Sequence, residues 1–337
     1  MPQYFVRAGA LAGLSELGVS LGGNLVEAMV DVGLSPALLR KPDERMGFED
    51  SCALLGHCAQ KWGAADLGLR LGLLNSIDIL GPVALVTRIE PSIRSALRAI
   101  ADNLVVHTNA LTMTMQEEGD IASVRFSFHA EPPGLDQYAQ GSISVATAIL
   151  RQLTDANIQI FEVSLQQAQG SVTPAMVHRF GFPLQFGAER DAIWFDRRIL
   201  DKPITRSDHA YHDLISRYLR VARDELAGSL ADRVRHEVAR QMEAGACTVD
   251  MVAQALRMQP RSLQRGLQQD GTSFRDLLDD WRRARAMTLI TRTRMPLSEI
   301  SLAVGYADQS IFSRAFQRWY GVTPLSFRHA GAPDATP

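Results

Sequence analysis

The stretch from Leu297 to Ala330, LSEISLAVGYADQSIFSRAFQRWYGVTPLSFRHA, contains two short helical patterns with a glycine between them. Gly305 predicts a turn there, because glycine reaches a positive φ at little cost. Asp308 predicts the start of the next helix, since its carboxylate can accept from backbone N–H groups that have no partner within the helix. One apolar stripe runs along that helix: Ile311, Phe312, Ala315, Phe316 and Trp319.

A helix, a tight turn and a second helix form the unit that places the second helix in the major groove of DNA. The polar face of the second helix carries Gln309, Ser310, Ser313 and Arg314. Arginine can bond to guanine through two N–H groups, glutamine can pair with adenine, and short hydroxyls can reach bases or phosphates. The spacing alone fits an ordinary helical hairpin with a solvated polar face equally well.

A longer set of residues separates these alternatives, because it resembles the C-terminal signature of the AraC/XylS family of bacterial transcription regulators. The matching residues are Gly305, Tyr306, Asp308, Ser310, Phe312, Ser313, Arg314, Ala315, Phe316, Arg318, Trp319, Gly321, Thr323, Pro324, Phe327 and Arg328. The resemblance implies an all-α C-terminal domain with two helix-turn-helix motifs joined by a long helix. It also implies double-stranded operator DNA and RNA polymerase as partners.

The first helix-turn-helix motif is predicted upstream, where Thr248 caps one helix and Pro260 begins the recognition helix at its first position. By the resemblance, its outward residues would enter the groove: Arg261, Gln264 and Arg265. Gly266 stands where many relatives have a basic residue, and glycine inside a helix costs about 1 kcal/mol relative to alanine. Ser301 is a second departure, at a position where relatives usually place alanine. We expect the first helix to carry more of the operator choice and the second to supply more of the backbone docking.

A long helix from Phe274 to about Thr293 is predicted between the two motifs, and it would hold the recognition helices about one turn of DNA, ~34 Å, apart. The candidate phosphate contacts in this part of the chain are Arg282, Arg283, Arg285, Arg292 and Arg294. From Ser229 onward the chain has 15 arginines, no lysine and 11 acidic residues, a net charge of +4, whereas the preceding part carries −6. A mildly basic module on an acidic body favours DNA binding by the C-terminal part.

The N-terminal part mixes helical and strand patterns, which predicts an α+β domain. Helices are predicted over 4–40 with glycine breaks, 48–62, 67–74, 80–89, 92–106, 138–155 and 174–180. Strict alternation over 111–115 and 124–128, with a glycine turn between them, predicts a β-hairpin. Further strands are predicted over 158–165 and 192–195.

Three short runs in this part resemble the "arabinose-binding type" N-terminal domain of the ornithine-utilisation and VirS-like branch of the AraC family. They are Ile79-Leu80-Gly81-Pro82, Val177-His178-Arg179-Phe180-Gly181-Phe182-Pro183 and Gln185-Phe186-Gly187-Ala188. The resemblance implies a domain over 1–205 that binds a small-molecule effector or mediates dimerisation. A linker helix over 206–228, capped by Ser207, would then pack on that domain or pair with a second subunit in a homodimer. The DNA-binding domain would cover 229–330, and 331–337 would be a disordered tail.

A small-molecule site in the N-terminal domain is expected to be concave and mostly apolar with a few polar groups. Arg125 or His107 could hold a carboxylate there, arginine through two parallel charge-assisted hydrogen bonds. Arg125 is also the polar member of an alternating strand, and this pattern fits a solvent-facing side chain as well.

Other functional classes lack support in the sequence. Cys52, Cys58 and Cys247 form an odd set with no CxxC spacing, which indicates a reducing cytoplasm and no zinc site. His209 and His212 have a metal-compatible spacing but no third ligand pattern. No nucleophile elbow, phosphate-binding loop or dinucleotide fingerprint is present, so no enzyme and no cofactor is predicted. No apolar run approaches the ~20 residues of a membrane span, and no signal peptide is apparent.

The sequence therefore predicts a cytoplasmic, sequence-specific DNA-binding transcription regulator that is controlled by a small-molecule effector. The alternative is a constitutive regulator whose N-terminal domain serves only dimerisation or protein–protein contacts. The identity of the effector, the operator sequence, and the choice between activation and repression stay open.

Overall fold

The computed structural model describes residues 4–156, 158–178, 180–204, 212–226, 229–243 and 245–331. The chain divides into two compact units, one of Met1–Phe186 and Arg190–Leu226 and the other of Gly187–Glu189 and Ala227–Pro337. The predicted cap at Ser207, His209 and the predicted tail from residue 332 onward lie outside the described residues.

The first unit is α+β, as the mixed patterns predict. Its helices are α1 (Leu14–Ser20), α2 (Leu25–Asp31), α3 (Phe48–Lys61), α4 (Leu67–Leu73), α5 (Ile93–Asn103), α6 (Leu135–Leu153), α7 (Pro174–His178) and α8 (His212–Leu226). Its strands are β1 (Phe5–Arg7), β2 (Arg45–Gly47), β3 (Leu111–Glu118), β4 (Ile121–Phe128), β5 (Ile160–Leu165), β6 (Leu184–Phe186) and β7 (Asp191–Asp196). Short 3-10 helices cover Ala8–Leu11, Pro36–Arg40, Ile77–Arg88, Leu104–Val106 and Arg197–Asp201.

The main sheet of the first unit has five strands in the order β3-β4-β7-β5-β6. The predicted hairpin forms its edge, with Met113 opposite Phe126 and Met115 opposite Val124. The sheet is antiparallel except for the β5–β6 pair. A separate two-stranded sheet pairs β1 with β2. The predicted helix over the first residues of 4–40 is wrong for 5–7, because those residues bond across about 40 positions of chain to β2.

The predicted helix over 80–89 is instead part of the longer 3-10 stretch Ile77–Arg88, which breaks at Gly81. Gly81 adopts φ 58° and ψ −125°, a conformation that residues with a side chain rarely adopt. A Cβ atom at Gly81 would collide with the guanidinium group of Arg7, which runs past it. Glycine at this position therefore allows the kink in the backbone and leaves room for the buried Arg7 side chain.

Helices α4 and α6 approach each other so closely that glycines are required at the contact. A Cβ atom at Gly72 would lie 2.8 Å from the carbonyl oxygen of Gly141 and closer still to the Cβ atom of Ser144. Hydrogen bonds join the same two helices: the Gly68 N–H donates to Gln137 Oε1 at 2.9 Å, and Ser144 Oγ donates to the Leu69 carbonyl at 2.8 Å. The two helices therefore touch through backbone as well as through side chains.

The second unit is all-α. Its helices are α9 (Leu230–Glu243), α10 (Val249–Ala255), α11 (Pro260–Gln269), α12 (Phe274–Arg292), α13 (Leu297–Ala303), α14 (Gln309–Tyr320) and α15 (Pro324–Gly331). The long helix α12 takes part in two hydrophobic clusters, through Leu277 and Leu278 in the first and through Ala286, Leu289 and Ile290 in the second. Each cluster includes one helix-turn-helix motif, so α12 joins the two motifs as predicted.

Within the described residues no single helix is long and apolar enough to cross a membrane. Two consecutive helical segments, Leu67–Leu73 and Ile77–Thr87, meet at an angle of 45°. Only when taken together do they have the length and apolar composition of a membrane span.

Candidate nucleic-acid interface and effector cavity

The second helix-turn-helix motif consists of α13, a turn and α14. Gly305 adopts φ 78° in the turn, and Asp308 caps α14 by accepting hydrogen bonds from the N–H groups of Ser310 at 2.7 Å and Ile311 at 3.2 Å. Hydrogen bonds from Ser310 and Ile311 hold the pKa of Asp308 below its usual value. The side chains of Phe312, Ala315 and Phe316 are buried. The start of the helix is therefore as the sequence predicts, and so is its inner face except for Ile311, which is 46% exposed.

The outer face of α14 carries the four predicted DNA-contacting residues together. Gln309, Ser310 and Arg314 are exposed, and Ser313 is half-buried. Their positions differ by one, three, four or five, so they lie on one face of the helix. This face presents amide, hydroxyl and guanidinium groups that match the donors and acceptors of a major groove.

The turn before α14 is fastened to two other helices of the second unit. Arg282 of α12 donates from Nε to the Val304 carbonyl and from Nη2 to the Gly305 carbonyl, each at 3.2 Å. The same guanidinium lies 4.6 Å from the ring centre of Tyr306. A Cβ atom at Gly305 would lie 2.7 Å from Cε of Met242, which belongs to α9. Arg282, a candidate phosphate contact from the sequence, thus has a structural role in holding the turn.

The far end of α14 is also tied to α12. Arg318 Nη2 donates to Asp279 Oδ2 at 2.8 Å, and the Tyr320 hydroxyl donates to the Arg283 carbonyl at 3.1 Å. Of the other candidate phosphate contacts, Arg285 is buried and Arg294 is exposed. Arg283 is exposed and lies 3.6 Å from Asp280, and the side chain of Arg292 is outside the described part of the structure.

The first helix-turn-helix motif consists of α10 and α11. Thr248 caps α10 by accepting from the Met251 N–H at 3.2 Å, and Leu263 and Leu267 of α11 are fully buried. The outward residues Arg261, Gln264 and Arg265 are all exposed on one face. Arg257 adopts φ 54° in the turn, the position that Gly305 occupies in the second motif.

Gly266 has a packing role that the sequence did not reveal. It is half-buried, and a Cβ atom there would collide with Cδ2 of Leu230, at the start of α9. The glycine therefore lets α11 pack closely on α9.

The first unit contains a partly open, apolar cavity of about 100 Å³ between α3, α4, α5, α6 and the β3–β4 hairpin. The apolar residues that line it include Leu55, Leu71, Ile79, Leu80, Leu97, Ile100, Leu104, Leu111, Met113, Val124, Phe126, Val145, Ala146, Ile149 and Leu150. Its polar lining residues are Ser51, Asn75, His107, Thr108, Tyr138 and Ser142. A concave, mostly apolar lining with a few polar groups is typical of small-molecule sites.

His107 is the predicted ligand residue that the structure places in the cavity wall. Burial, with a smaller effect from the charge of Arg7, lowers the pKa of His107 to about 3, so its imidazole is neutral at neutral pH. Nδ1 of His107 and Oγ of Ser51 are buried and have no hydrogen-bond partner among the described residues. Both side chains border the cavity, where a ligand could supply those partners.

The structure does not bring Arg125 into the cavity. Val124 and Phe126 line it, and Arg125 lies on the opposite face of β4 because side chains alternate along a strand. The Arg125 guanidinium lies 5.4 Å from the ring centre of Trp194, and its Nε donates to Ser123 Oγ at 3.1 Å. The Arg125 side chain is half-buried there. The sequence predicted the alternation along β4 but not which of its two faces lines the cavity.

The described residues offer no group of three or more His, Cys, Asp or Glu side chains placed to hold a metal ion. Cys52 and Cys58 are buried in α3, and burial raises the pKa of Cys58 to about 12. Burial, with a smaller effect from Glu237, raises the pKa of Cys247 to about 11. Neither pKa favours a thiolate nucleophile at neutral pH.

Two helix-turn-helix motifs on one long helix, in a chain that also has an α+β unit with an apolar cavity, define a DNA-binding transcription regulator with a separate N-terminal domain. Residues 22–204 match the family described as "Arabinose-binding domain of AraC transcription regulator, N-term", and residues 252–330 match a helix-turn-helix domain family. The chain belongs to the AraC family of transcription regulators.

The chain is similar along its length to other regulators. It is 29% identical over 329 residues to the HTH-type transcriptional regulator VirS of Mycobacterium tuberculosis, covering 97% of each chain. It is 26% identical to the ornithine utilization regulator of Pseudomonas aeruginosa, over 94% of this chain and 93% of that one. The solved structure of the regulator CdpR from Pseudomonas aeruginosa is similar at 22% identity, with a TM-score of 0.43 over 90% of this chain and 96% of that one. Both of these sequence relatives are named as regulators.

Proposed function

We propose that this AraC-family regulator reads a specific operator with α11 and α14, and that a small molecule in the N-terminal cavity controls this binding. The observation that supports control by an effector is the apolar cavity with two unpaired polar atoms in its wall. Ligand binding would shift a population that already includes the DNA-competent arrangement. The setting is the cytoplasm, with double-stranded DNA and RNA polymerase as partners.

The proposal of operator binding rests on the exposed polar faces of α11 and α14. Arg261, Gln264 and Arg265 on α11 are exposed above buried leucines, and the polar face of α14 is exposed above buried phenylalanines. We propose that these faces contact bases, with α11 contributing more to operator choice. Under this division of labour, exchanging side chains of α11 changes which operators are bound, whereas exchanges on α14 weaken all of them.

The test compares Arg265→Ala and Arg314→Ala with Arg275→Ala, which removes the same charge from an exposed position at the start of α12. Operators are first identified by genome-wide footprinting with the wild-type chain. Each base-reading arginine is expected to contribute about 1–3 kcal/mol on the operator and much less on random DNA. Arg275→Ala is expected to lower the affinity for the operator and for random DNA by the same factor. Equal losses on both DNAs for Arg265→Ala and Arg314→Ala would reduce these residues to phosphate contacts.

A homodimer is proposed from the exposed face of α8. Leu214, Tyr218 and Val221 are 62%, 52% and 50% exposed at spacings of four and three, so they form one apolar stripe. The other face, with Ile215, Leu219 and Ala222, packs into the core of the first unit. We expect Tyr218→Glu to halve the mass measured by light scattering, whereas Ser216→Glu, on the same helix, leaves it unchanged. An unchanged mass for Tyr218→Glu would exclude this stripe as the dimer contact.

The constitutive alternative differs in one measurable respect. It predicts that operator affinity is the same with the cavity filled or empty. Ala146→Phe adds a ring to the cavity wall on α6, within the first unit. Under effector control this variant binds the operator but no longer responds to ligand, whereas a constitutive factor has no response to lose.

A further inference from the structure

We infer that the N-terminal cavity takes an uncharged, mainly aliphatic molecule with a single hydrogen-bonding group, such as a medium-chain alcohol or ester. This inference rests on the proposed effector function and specifies its ligand. It differs from what the description of the domain family suggests, since a sugar is the opposite kind of molecule.

The first argument is the chemistry of the cavity wall. Most of the lining residues are Leu, Ile, Val, Met, Phe or Ala. A sugar carries a hydroxyl on nearly every carbon, and each hydroxyl that is buried without a partner costs about 1–3 kcal/mol. Six polar lining side chains are present, but Ser142 already donates to the Tyr138 carbonyl, and Asn75 donates to the carbonyls of Ala12 and Leu71. The wall therefore has too few available partners for a polyol.

The second argument is the absence of charge among the described residues that line the cavity. None of them is Asp, Glu, Lys or Arg, and His107 is neutral. A buried carboxylate or ammonium is costly unless it is paired. Arg7, whose charge lowers the pKa of His107, lies against Gly81 outside the lining and forms an ion pair with Asp43 through Nη2, while its Nη1 is buried without a hydrogen-bond partner among the described residues. A carboxylic acid or an amino acid therefore lacks a counter-charge in the wall.

The third argument identifies where the single polar group of the ligand binds. Oγ of Ser51 and Nδ1 of His107 are buried and unpaired in the described structure, and both residues border the cavity. An unpaired buried polar atom costs about 1–3 kcal/mol, so a ligand hydroxyl or carbonyl that satisfies one of them gains affinity. Thr108 donates to the Phe5 carbonyl at 2.6 Å and interacts with the Tyr138 hydroxyl, so these two groups are already engaged.

The experiment measures thermal unfolding of the full-length protein with four probes: 1-decanol, decanoate, arabinose and ornithine. Decanol is expected to raise Tm in a concentration-dependent way by roughly 4 °C or more near saturation. The other three are expected to leave Tm unchanged. Ala146→Phe, which occupies the cavity, is expected to abolish the decanol response while retaining operator binding.

A second pair of variants tests the polar anchor. Ser51→Ala and His107→Phe each remove one unpaired atom, so both are expected to fold, and the variant that lacks the atom bound by the ligand is expected to weaken decanol binding about 5-fold to 10-fold. Binding of decane, which has no polar group, is expected to stay the same in both variants. Equal weakening of decanol and decane would contradict the assigned anchor.

The outcomes separate the ligand class from the effector function. Binding of decanoate, arabinose or ornithine that Ala146→Phe abolishes would overturn the ligand class and leave effector control intact. Decanoate binding lost in Arg7→Gln would assign the anchor to Arg7. Decanol binding without any change in operator affinity would uphold the ligand class and overturn effector control. Absence of any decanol response in the wild-type protein would overturn the inference.

Discussion

The glycine contact between α4 and α6 leads to a prediction with opposite signs at two neighbouring positions. Gly72→Ala and Gly141→Ala each add one methyl group to the same helix–helix contact, and both residues border the cavity. At Gly72 the new Cβ atom would lie 2.8 Å from the Gly141 carbonyl oxygen, whereas ordinary contact begins at 3.4 Å. At Gly141 the nearest atoms would be 3.6 Å and 4.0 Å away, both on Gly68.

The expected magnitudes follow from these distances. For Gly72→Ala the closest contact, with Cβ of Ser144, requires the helices to separate by about 1.1 Å, and overpacking of this kind costs up to ~3 kcal/mol. The gain in helix propensity offsets about 1 kcal/mol, so the net loss in the free energy of unfolding is about 2 kcal/mol. For Gly141→Ala only the gain remains, so stability rises by up to ~1 kcal/mol.

Urea unfolding followed by fluorescence measures the two free energies of unfolding. Hydrogen exchange of the α4 and α6 peptides assigns the change to the first unit. The Ser144–Leu69 hydrogen bond provides a local reporter, because separation of the helices stretches it. If both variants lose stability equally, or if Gly72→Ala gains it, the close backbone contact between α4 and α6 is refuted.

Three further predictions concern other sites. Gly305→Ala is expected to lower the free energy of unfolding by about 1–2 kcal/mol, because Gly305 has a positive φ. Arg257→Gly relieves the same backbone conformation, so it is expected to raise the free energy of unfolding or leave it unchanged. Urea unfolding measures both variants, and a loss of stability in both would contradict this prediction. The lowered pKa of Asp308 means that its capping contribution is complete above the ordinary carboxyl value of 3.8 and is lost as the pH falls through the lower folded value; hydrogen exchange of α14 measures this, and Asp308→Asn is expected to remove the pH dependence. Cys58 is expected to resist iodoacetamide at pH 8 until the protein unfolds, because burial raises its pKa to about 12; labelling of the native protein, followed by mass spectrometry, would disprove this.

Local signals in the sequence were sufficient wherever a helix or hairpin is determined by its own residues. Asp308, Thr248 and Ser92 cap the helices that they were expected to cap or begin, because a capping side chain bonds within three residues of itself. The β3–β4 hairpin follows from alternation and a glycine turn for the same reason. The exposed faces of α11 and α14 follow from the positions of their buried leucines and phenylalanines.

Features that depend on distant partners escaped prediction. β1 and β2 have three residues each, too few to show alternation, and they are defined only by their pairing with each other. Alternation could not say which face of β4 would be buried, so Arg125 and His107 looked equally suitable as ligand residues. The role of Arg282 depends on carbonyl groups 22 and 23 positions further along the chain. Gly68 and Gly72 are spaced four apart, a signal of close helix packing that the sequence did contain.

The fastening of the Gly305 turn has a consequence for the operator itself. Met242 packs on this turn from α9, and Arg282 holds its carbonyl groups from α12, so the two recognition helices have little freedom to adjust their separation. A spacer of imperfect length or twist must then be accommodated by the DNA, which bends or overtwists at an elastic cost that depends on its base steps. Base pairs that touch no side chain, in the spacer between the two contacted segments, thereby contribute to operator strength.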